Sequence, residues 1–420
     1  MITTINNKHN KLNVPNLRFP EFQGEWEENR LSEIADLFKG NGISKEQLTD
    51  TGEPCILYGE LYTKYKSEII SDVFSKTDIG TRKLVKSKAN DVIIPCSGET
   101  AVDIATARCV PYDNILLGGD LNIIRLYDCD GSFMSYQLNG KRKYDLAKVA
   151  QGVSVVHLYG DHLKGVKTYN PCLEEQKKIA KLLSLLDERI AIQNKIIEDL
   201  KKLKCAIIEE VYCSPKQREP KKRFGEYSSP LSTYKMKDFC VRITDKNKDN
   251  KCSLVLTIAA QDGLVDQETF FNKSVASENL TGYYILHNGD FAYNRSYSSG
   301  YSWGAVKRLD KYKEGVLSTL YICFKVNESI VNSDYLSYYF ESTKWHKGVS
   351  DISGEGARNH GLLNISVSDY FNTEHRFPPI DEQKCIASIL NAIIVKEQNA
   401  IELGQLYSKQ KQYLLRQMFI

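Results

Sequence analysis

Apolar residues recur at steps of three and four along Leu173–Tyr212, at Ile179, Leu183, Leu186, Ile190, Ile197, Leu200 and Ile207. That period marks a helix with one apolar stripe, or a coiled-coil seam. The stretch contains no Gly or Pro. Pro171 precedes it, and Glu174 and Glu175 occupy the first turn, where negative charge suits the helix dipole. At 1.5 Å per residue such a rod spans about 60 Å. It cannot bury its stripe alone. The pattern returns without a gap 207 positions later, at Ile380–Phe419. Glu175-Gln176-Lys177 falls on Glu382-Gln383-Lys384, and Ile179, Ala180 and Leu183 fall on Ile386, Ala387 and Leu390. Ile393 and Leu414 extend the second stripe, which Gly404 is expected to weaken. Two such rods predict an antiparallel coiled coil; the alternative is that each docks on its own globule.

The repeat continues upstream in weaker form. Arg18-Phe19 and Glu21-Phe22 correspond to Arg223-Phe224 and Glu226-Tyr227, 205 positions on. Asn90-Asp91-Val92 resembles Gly289-Asp290-Phe291, and Phe133-Met134-Ser135-Tyr136 resembles Tyr335-Leu336-Ser337-Tyr338. The order and the near-constant offset define a pseudo-two-fold internal repeat. The chain divides into a polar tail (1–16), a globule (17–172), a long helix (173–213), a Pro-interrupted basic linker (214–222), a second globule (223–379) and a second long helix (380–420). Short alternating runs such as Asp91–Ile94, Leu121–Leu126 and Leu320–Val326 read as strands between Gly/Ser/Asn turns. Helices are predicted at Leu31–Phe38, Ser132–Gly140 and Ser333–Ser342. The class is therefore α+β, with two globular domains separated by two long helices.

Composition narrows the possibilities. Apolar residues make up 42% and charged residues 26% of the 420, which excludes a disordered chain. No apolar run approaches the ~18 residues of a spanning helix, and the N-terminal stretch has no signal-like apolar core, so a cytoplasmic protein is expected. The eleven cysteines form no CxxC pair, which fits a reducing compartment better than a disulfide framework or a zinc ribbon. The net charge is +3, so nucleic acid could be held only where cations gather in patches.

Candidate binding loops are polar and punctuated by glycine. In the first half they carry Lys39 and Asn41; Ser97 and Thr100; Lys141, Arg142 and Lys143; and Gln151 and Ser154. In the second they carry Asn294, Arg295, Tyr297 and Ser298, then Arg358, Asn359 and His360. Arg, Lys, Asn and Gln can pair with base edges, while Lys, Ser and Thr hold phosphates. Each residue alone reads as a solvated loop position; the collection points to nucleic acid. No catalytic site is indicated. Asn170-Pro171-Cys172 lacks the second Pro and the aromatic of an adenine-methylating motif. Gly356–Gly361 is followed by Leu362 where a Walker loop has Lys. The two Glu-x-Lys triplets lie in helix first turns, and the seven His residues have no ligand spacing.

The arrangement resembles the specificity (S) subunit of type I restriction-modification enzymes. The carrying residues are the repeated Glu-Gln-Lys-x-Ile-Ala motifs at Pro171–Ala180 and Pro378–Ala387, the two long helices, and the opening Asn16-Leu17-Arg18-Phe19-Pro20-Glu21-Phe22-Gln23-Gly24-Glu25-Trp26. Tyr169-Asn170-Pro171-Cys172 stands where the family usually has Pro-Leu-Pro-Pro. The resemblance implies a non-catalytic subunit of a prokaryotic complex, nucleoid-associated when bound to double-stranded DNA. It implies two target-recognition domains, each reading half of a bipartite asymmetric site, with the helices setting the gap. It also implies two modification subunits for S-adenosylmethionine-dependent N6-adenine methylation, and restriction subunits using ATP and Mg²⁺. No cofactor or metal is expected on this chain. The competing readings are a stand-alone DNA-binding regulator with a coiled-coil body and a scaffold that does not bind DNA.

Overall fold

The computed structural model describes residues 13–80, 84–224, 227–273, 279–297, 300–353 and 363–420. The chain forms two compact units. One holds residues up to Lys195 together with Ile401–Ile420; the other is Ile196–Ala400. The partition therefore does not follow the sequence halves. Each unit combines one globule with a portion of both long helices, because each apolar stripe is covered by the globule it reaches as well as by its partner helix.

The two units share a frame. In the first, four antiparallel strands lie in the order Ala35–Lys39, Leu121–Leu126, Asp91–Pro95, Arg108–Val110. In the second, the order is Cys240–Arg242, Ile322–Val326, Phe291–Asn294, Ala305–Arg308, again antiparallel. A strand pair closes each globule: Glu27–Arg30 with Lys167–Asn170, and Ser232–Lys235 with Glu374–Phe377. The landmark at Asn90 and Gly289 now has a cause. Both residues take a left-handed conformation, φ 81° and 91°, which Gly and Asn tolerate best. The carboxylates that follow, Asp91 and Asp290, accept from the amides of Lys88 (2.8 Å) and His287 (2.7 Å) to close the same turn.

What fills the frame differs. The first sheet packs aliphatic residues, Val92, Ile94 and Ile124. The second packs Phe291, Tyr293 and Phe324, with the two Phe rings stacked 5.4 Å apart. The additional strands diverge further. The first unit has a five-stranded sheet built around Glu53–Ile56, whereas the second has two separate strand pairs, Leu256–Ala259 with Gly263–Asp266 and Tyr284–His287 with Glu314–Leu317. The helix expected over Leu31–Phe38 is confined to Leu31–Ile34. Residues 35–39 instead pair with Leu121–Leu126, and ladder hydrogen bonds override the local helical period.

The central helix runs from Leu173 to Val211 and the C-terminal helix from Ile380 to Gln417. In the first unit, Ile179, Leu183 and Leu186 are buried in one cluster with Leu414 and Met418. Arg189 reaches Tyr407, and Gln193 faces Gly404. In the second, Ile208 and Val211 share a core with Ile386 and Leu390, and Lys201 lies 3.9 Å from Glu397. Later residues of the central helix meet earlier residues of the C-terminal helix, so the helices are antiparallel in both units. Ile393 is buried, whereas Ile190, Ile197 and Leu200 are only half-buried. Gly404 does not interrupt its helix. A Cβ there would lie 3.4 Å from Cγ of the buried Gln193, so the glycine sits where the two helices are close.

The repeated Glu-Gln pair fastens each helix to its globule. Arg18 grips Glu175 bidentately at 2.8 and 2.7 Å, and Arg223 grips Glu382 in the same manner, with Nε 2.9 Å from Oε1. The hydrogen bond to its carboxylate raises each guanidinium pKa above the ordinary value. Gln176 accepts from the Asp130 amide (2.8 Å) and donates to the Pro171 carbonyl (2.8 Å). Gln383 repeats this with Asn332 (2.9 Å) and Pro378 (2.9 Å). Asp130 and Asn332 in turn cap the helices Gly131–Asn139 and Ser333–Tyr339. The Glu of each Glu-x-Lys triplet thus clamps an arginine, which is more than favourable placement in the helix dipole. Replacing Arg223 by Ala leaves Glu382, 1% exposed, with an uncompensated charge. We expect the second unit to lose about 3 kcal/mol, read by urea unfolding; a loss below about 0.5 kcal/mol, within the range of ordinary surface substitutions, would show that the clamp is not structural.

Candidate nucleic-acid interface

One end of each four-stranded sheet abuts the capped helix and the head of a long helix. The opposite end is a rim of loops. In the first unit the rim gathers the residues after Lys39, after Pro95 and before Leu121, since Lys39 pairs with Asn122 and Pro95 with Leu121. The strand Ser97–Gly98 leads away from it and pairs with Val156–His157. Leu158 bonds back to the Cys96 carbonyl at 2.9 Å, and the Asn122 amide donates to Leu158 at 2.7 Å. Lys39, Asn41, Ser97, Thr100, Gln151 and Ser154, scattered over some 115 positions, are therefore drawn to one edge.

Their local roles differ. Lys39 pairs with Asp120 at 3.3 Å, both half-exposed, and Asn41 is exposed. The Ser97 carbonyl accepts from Tyr62 Oη at 2.9 Å. Thr100 caps the helix Ala101–Ile104, accepting from the Asp103 amide at 3.1 Å. Gln151 exchanges backbone hydrogen bonds with His157, which fixes a tight loop. Gly152 is required in that loop: at φ +125°, a Cβ would stand 2.1 Å from the Val155 carbonyl oxygen. The tip it creates presents Ser154 and Val153, the latter 98% exposed.

The turn Lys141-Arg142-Lys143 does not join the rim. It lies beside the end of the C-terminal helix, where Arg142 donates to the Ile420 carbonyl at 2.7 Å, pairs with Asp145 at 3.1 Å and covers the Tyr169 ring. A guanidinium so engaged ties this turn to the end of the C-terminal helix. In the second unit, Asn294 ends its strand at the equivalent edge and accepts from the Ser296 amide at 2.9 Å. Arg295 donates to the carbonyls of Ile365 (2.9 Å) and Leu320 (3.0 Å). These two bonds tie rim loops together. Tyr297 is exposed. Ser298, Arg358, Asn359 and His360 lie outside the described residues.

Sequence reasoning missed two features. The first is a polar knot in the first unit, where Lys411 of the C-terminal helix meets Asp187 of the central helix and Glu68 of the globule, and Tyr136 donates to Asp187 at 2.6 Å. Burial, followed by the Asp187 charge, raises the Tyr136 pKa far above the ordinary value. The second unit has a simpler counterpart, Lys204 with Glu341 at 3.3 Å. The repeat contained the signal, because Lys204 and Lys411 are equivalent positions. The second missed feature is apolar surface left exposed on the helices. In the first unit these residues are Leu185 and Ile192, one heptad apart, with Leu406 and Tyr413, also one heptad apart. In the second, Ile196 and Leu203 repeat the spacing. These positions lie off the buried seam and are too regular for scattered surface residues. Among the described residues, no helix is long and apolar enough to cross a membrane.

Comparison with known proteins agrees with this geometry. Residues 23–202 match the family model described as Type I restriction modification DNA specificity domain. A type I restriction enzyme MjaVIII specificity subunit from Methanocaldococcus jannaschii is 24% identical over 395 residues, covering 90% of this chain and 87% of its own. The S subunit of the type I restriction-modification system from M. genitalium has a similar fold, with a TM-score of 0.58 at 14% identity, covering 97% of this chain and 99% of that one. A chain solved in work on complex assembly and conformational transition of the type I R-M system gives 0.52 at 14% identity, over 94% and 97%. Residues 23–202 thus match a type I restriction modification DNA specificity domain, and the duplicated frame, the twin clamps and the antiparallel helices occur in a chain similar over nearly its whole length to type I specificity subunits.

Proposed function

We propose that this chain is the non-catalytic DNA-reading subunit of a type I restriction-modification complex, with each unit recognising one half of a bipartite, asymmetric duplex site. One observation carries the reading: the frame repeats and the rim does not. Strand order, turn, cap and clamp recur from unit to unit, while the rim elements differ in residue type and in the strands behind them. A repeated frame calls for equivalent placement of two readers. Unlike rims call for unlike half-sites, so the target is not a palindrome.

The energetics favour joining two readers. A few base-edge contacts, each about 1–3 kcal/mol, discriminate modestly. A second reader on the same chain converts its binding into an intramolecular event and multiplies selectivity. Helix length then sets the number of unread base pairs between half-sites. The exposed heptad-spaced residues Leu185, Ile192, Leu406 and Tyr413 suit a partner helix, and we assign them to the docking of modification subunits. Those subunits supply S-adenosylmethionine-dependent N6-adenine methylation, and restriction subunits supply ATP- and Mg²⁺-dependent cleavage; this chain contributes the address.

Two experiments test the reading. Replacing residues 223–379 by the equivalent segment of another specificity subunit should change one half of the methylated motif and leave the other intact, read by methylation-sensitive sequencing. A change in both halves would contradict one reader per half-site. Ile192→Asp combined with Leu406→Asp, at positions each 60% exposed, should leave the melting temperature within about 2 °C while weakening co-purification with the modification subunit by about tenfold or more, since an unpaired carboxylate would be buried at the contact. Unaltered assembly would remove the docking assignment.

A further inference from the structure

The first unit carries a cleft of about 740 Å³ at its rim, lined by Tyr58, Tyr62, Glu99, Asp103, Arg108 and Ser154 among others. We propose that Glu99, at the mouth of this cleft, is a base-specificity residue that accepts a hydrogen bond from the N4 amino group of a cytosine in the half-site read by this unit. The inference rests on the DNA-reading function proposed above and names one contact within it.

Arg108 spends its guanidinium donors on the carbonyls of Tyr65 (3.1 and 3.2 Å) and Ala107 (2.9 Å). Asp103 accepts from Thr100 Oγ1 at 2.6 Å. Glu99 is exposed and makes no hydrogen bond or ion pair with any described residue. Arg108 keeps its charge but is turned onto backbone carbonyls, and with Glu99 and Asp103 it leaves the cleft lining at a net charge of −1, so Glu99 offers a carboxylate with no partner among the described residues. Such a surface repels phosphate, whose binding relies on Lys and Arg, and suits a hydrogen-bond donor. In the major groove, guanine presents two acceptors, and thymine an acceptor and a methyl group. Adenine sets its amino donor beside the N7 acceptor, which repels the second carboxylate oxygen. Cytosine presents the N4 amino group alone, and Glu or Asp is its fitting partner.

The backbone that bears Glu99 is fixed on both sides. Gly98 precedes it, paired with Val156, and a Cβ at Gly98 would lie 2.9 Å from Tyr62 Oη and 3.2 Å from Ile104 Cβ. A side chain at Gly98 would crowd Ile104 and the Tyr62 hydroxyl, which donates to the Ser97 carbonyl. Thr100 follows as a helix cap. With the backbone held on both sides, binding has only the Glu99 side chain left to order, which favours selectivity at a single base.

The test uses the full chain assembled with its modification subunits, and a panel of duplexes carrying each base at each position of the target. With the native chain, one position in the first unit's half-site should prefer cytosine over adenine by about tenfold or more in methylation rate. Glu99→Gln should bring that ratio close to one, because an amide can pair with adenine N6 and N7. Glu99→Asp, which keeps the charge, should retain the cytosine preference. The other half-site and the melting temperature should not move. If the native complex recognises a bipartite site and Glu99→Gln alters no base preference, the Glu99 assignment fails alone. If the native complex recognises no bipartite site, the parent reading fails and takes this contact with it.

Discussion

The buried ion pair at the head of each long helix is the constraint on which the remaining architecture depends. Glu175 and Glu382 are almost wholly removed from water, and a carboxylate in that state is tolerable only when matched by a bidentate arginine. Arg18 and Arg223 supply that match from the segment that opens each globule. The neighbouring glutamines satisfy the first turn of the helix beside them. A globule fixed in this way cannot rotate on its helix without exposing or orphaning these groups, so the rim loops inherit a defined orientation relative to the helix axis.

A second constraint acts where each helix ends. Lys411 ties the C-terminal helix to the first globule through Glu68, and Lys204 ties the central helix to the second globule through Glu341. Each helix is thus clamped to one globule at its head and bonded to the other near its tail. Polar contacts inside an apolar seam cost stability and favour one register over its neighbours.

Much of this was legible in the sequence, and the part that was not has a physical explanation. The long helices were visible because a 3.6-residue period over many turns cannot be mistaken. The duplication was visible because the clamp demands the same residues twice. Asn90 and Gly289 looked like a weak landmark and are the same left-handed turn. The aliphatic and aromatic cores concealed the shared sheet, since Val92 and Phe291 fill the same place with different volumes. The rim was legible only in part. Lys39, Ser97 and Gln151 converge through strand pairing that no local pattern encodes, and nothing in a sequence shows that the guanidiniums of Arg142 and Arg295 turn toward backbone carbonyls.

The central claim is that the helices fix the separation of two unlike readers. It is tested most directly by inserting one heptad after Gln193 in the central helix and one heptad after Leu403, beside the facing Gly404, in the C-terminal helix, then sequencing the methylated sites of the assembled complex. Seven residues add about 10.5 Å of helix, roughly three base pairs of duplex. The account predicts loss of methylation at the native spacing, with any surviving sites keeping both half-sites at a longer gap. Methylation of the original motif at the original gap and rate would contradict it.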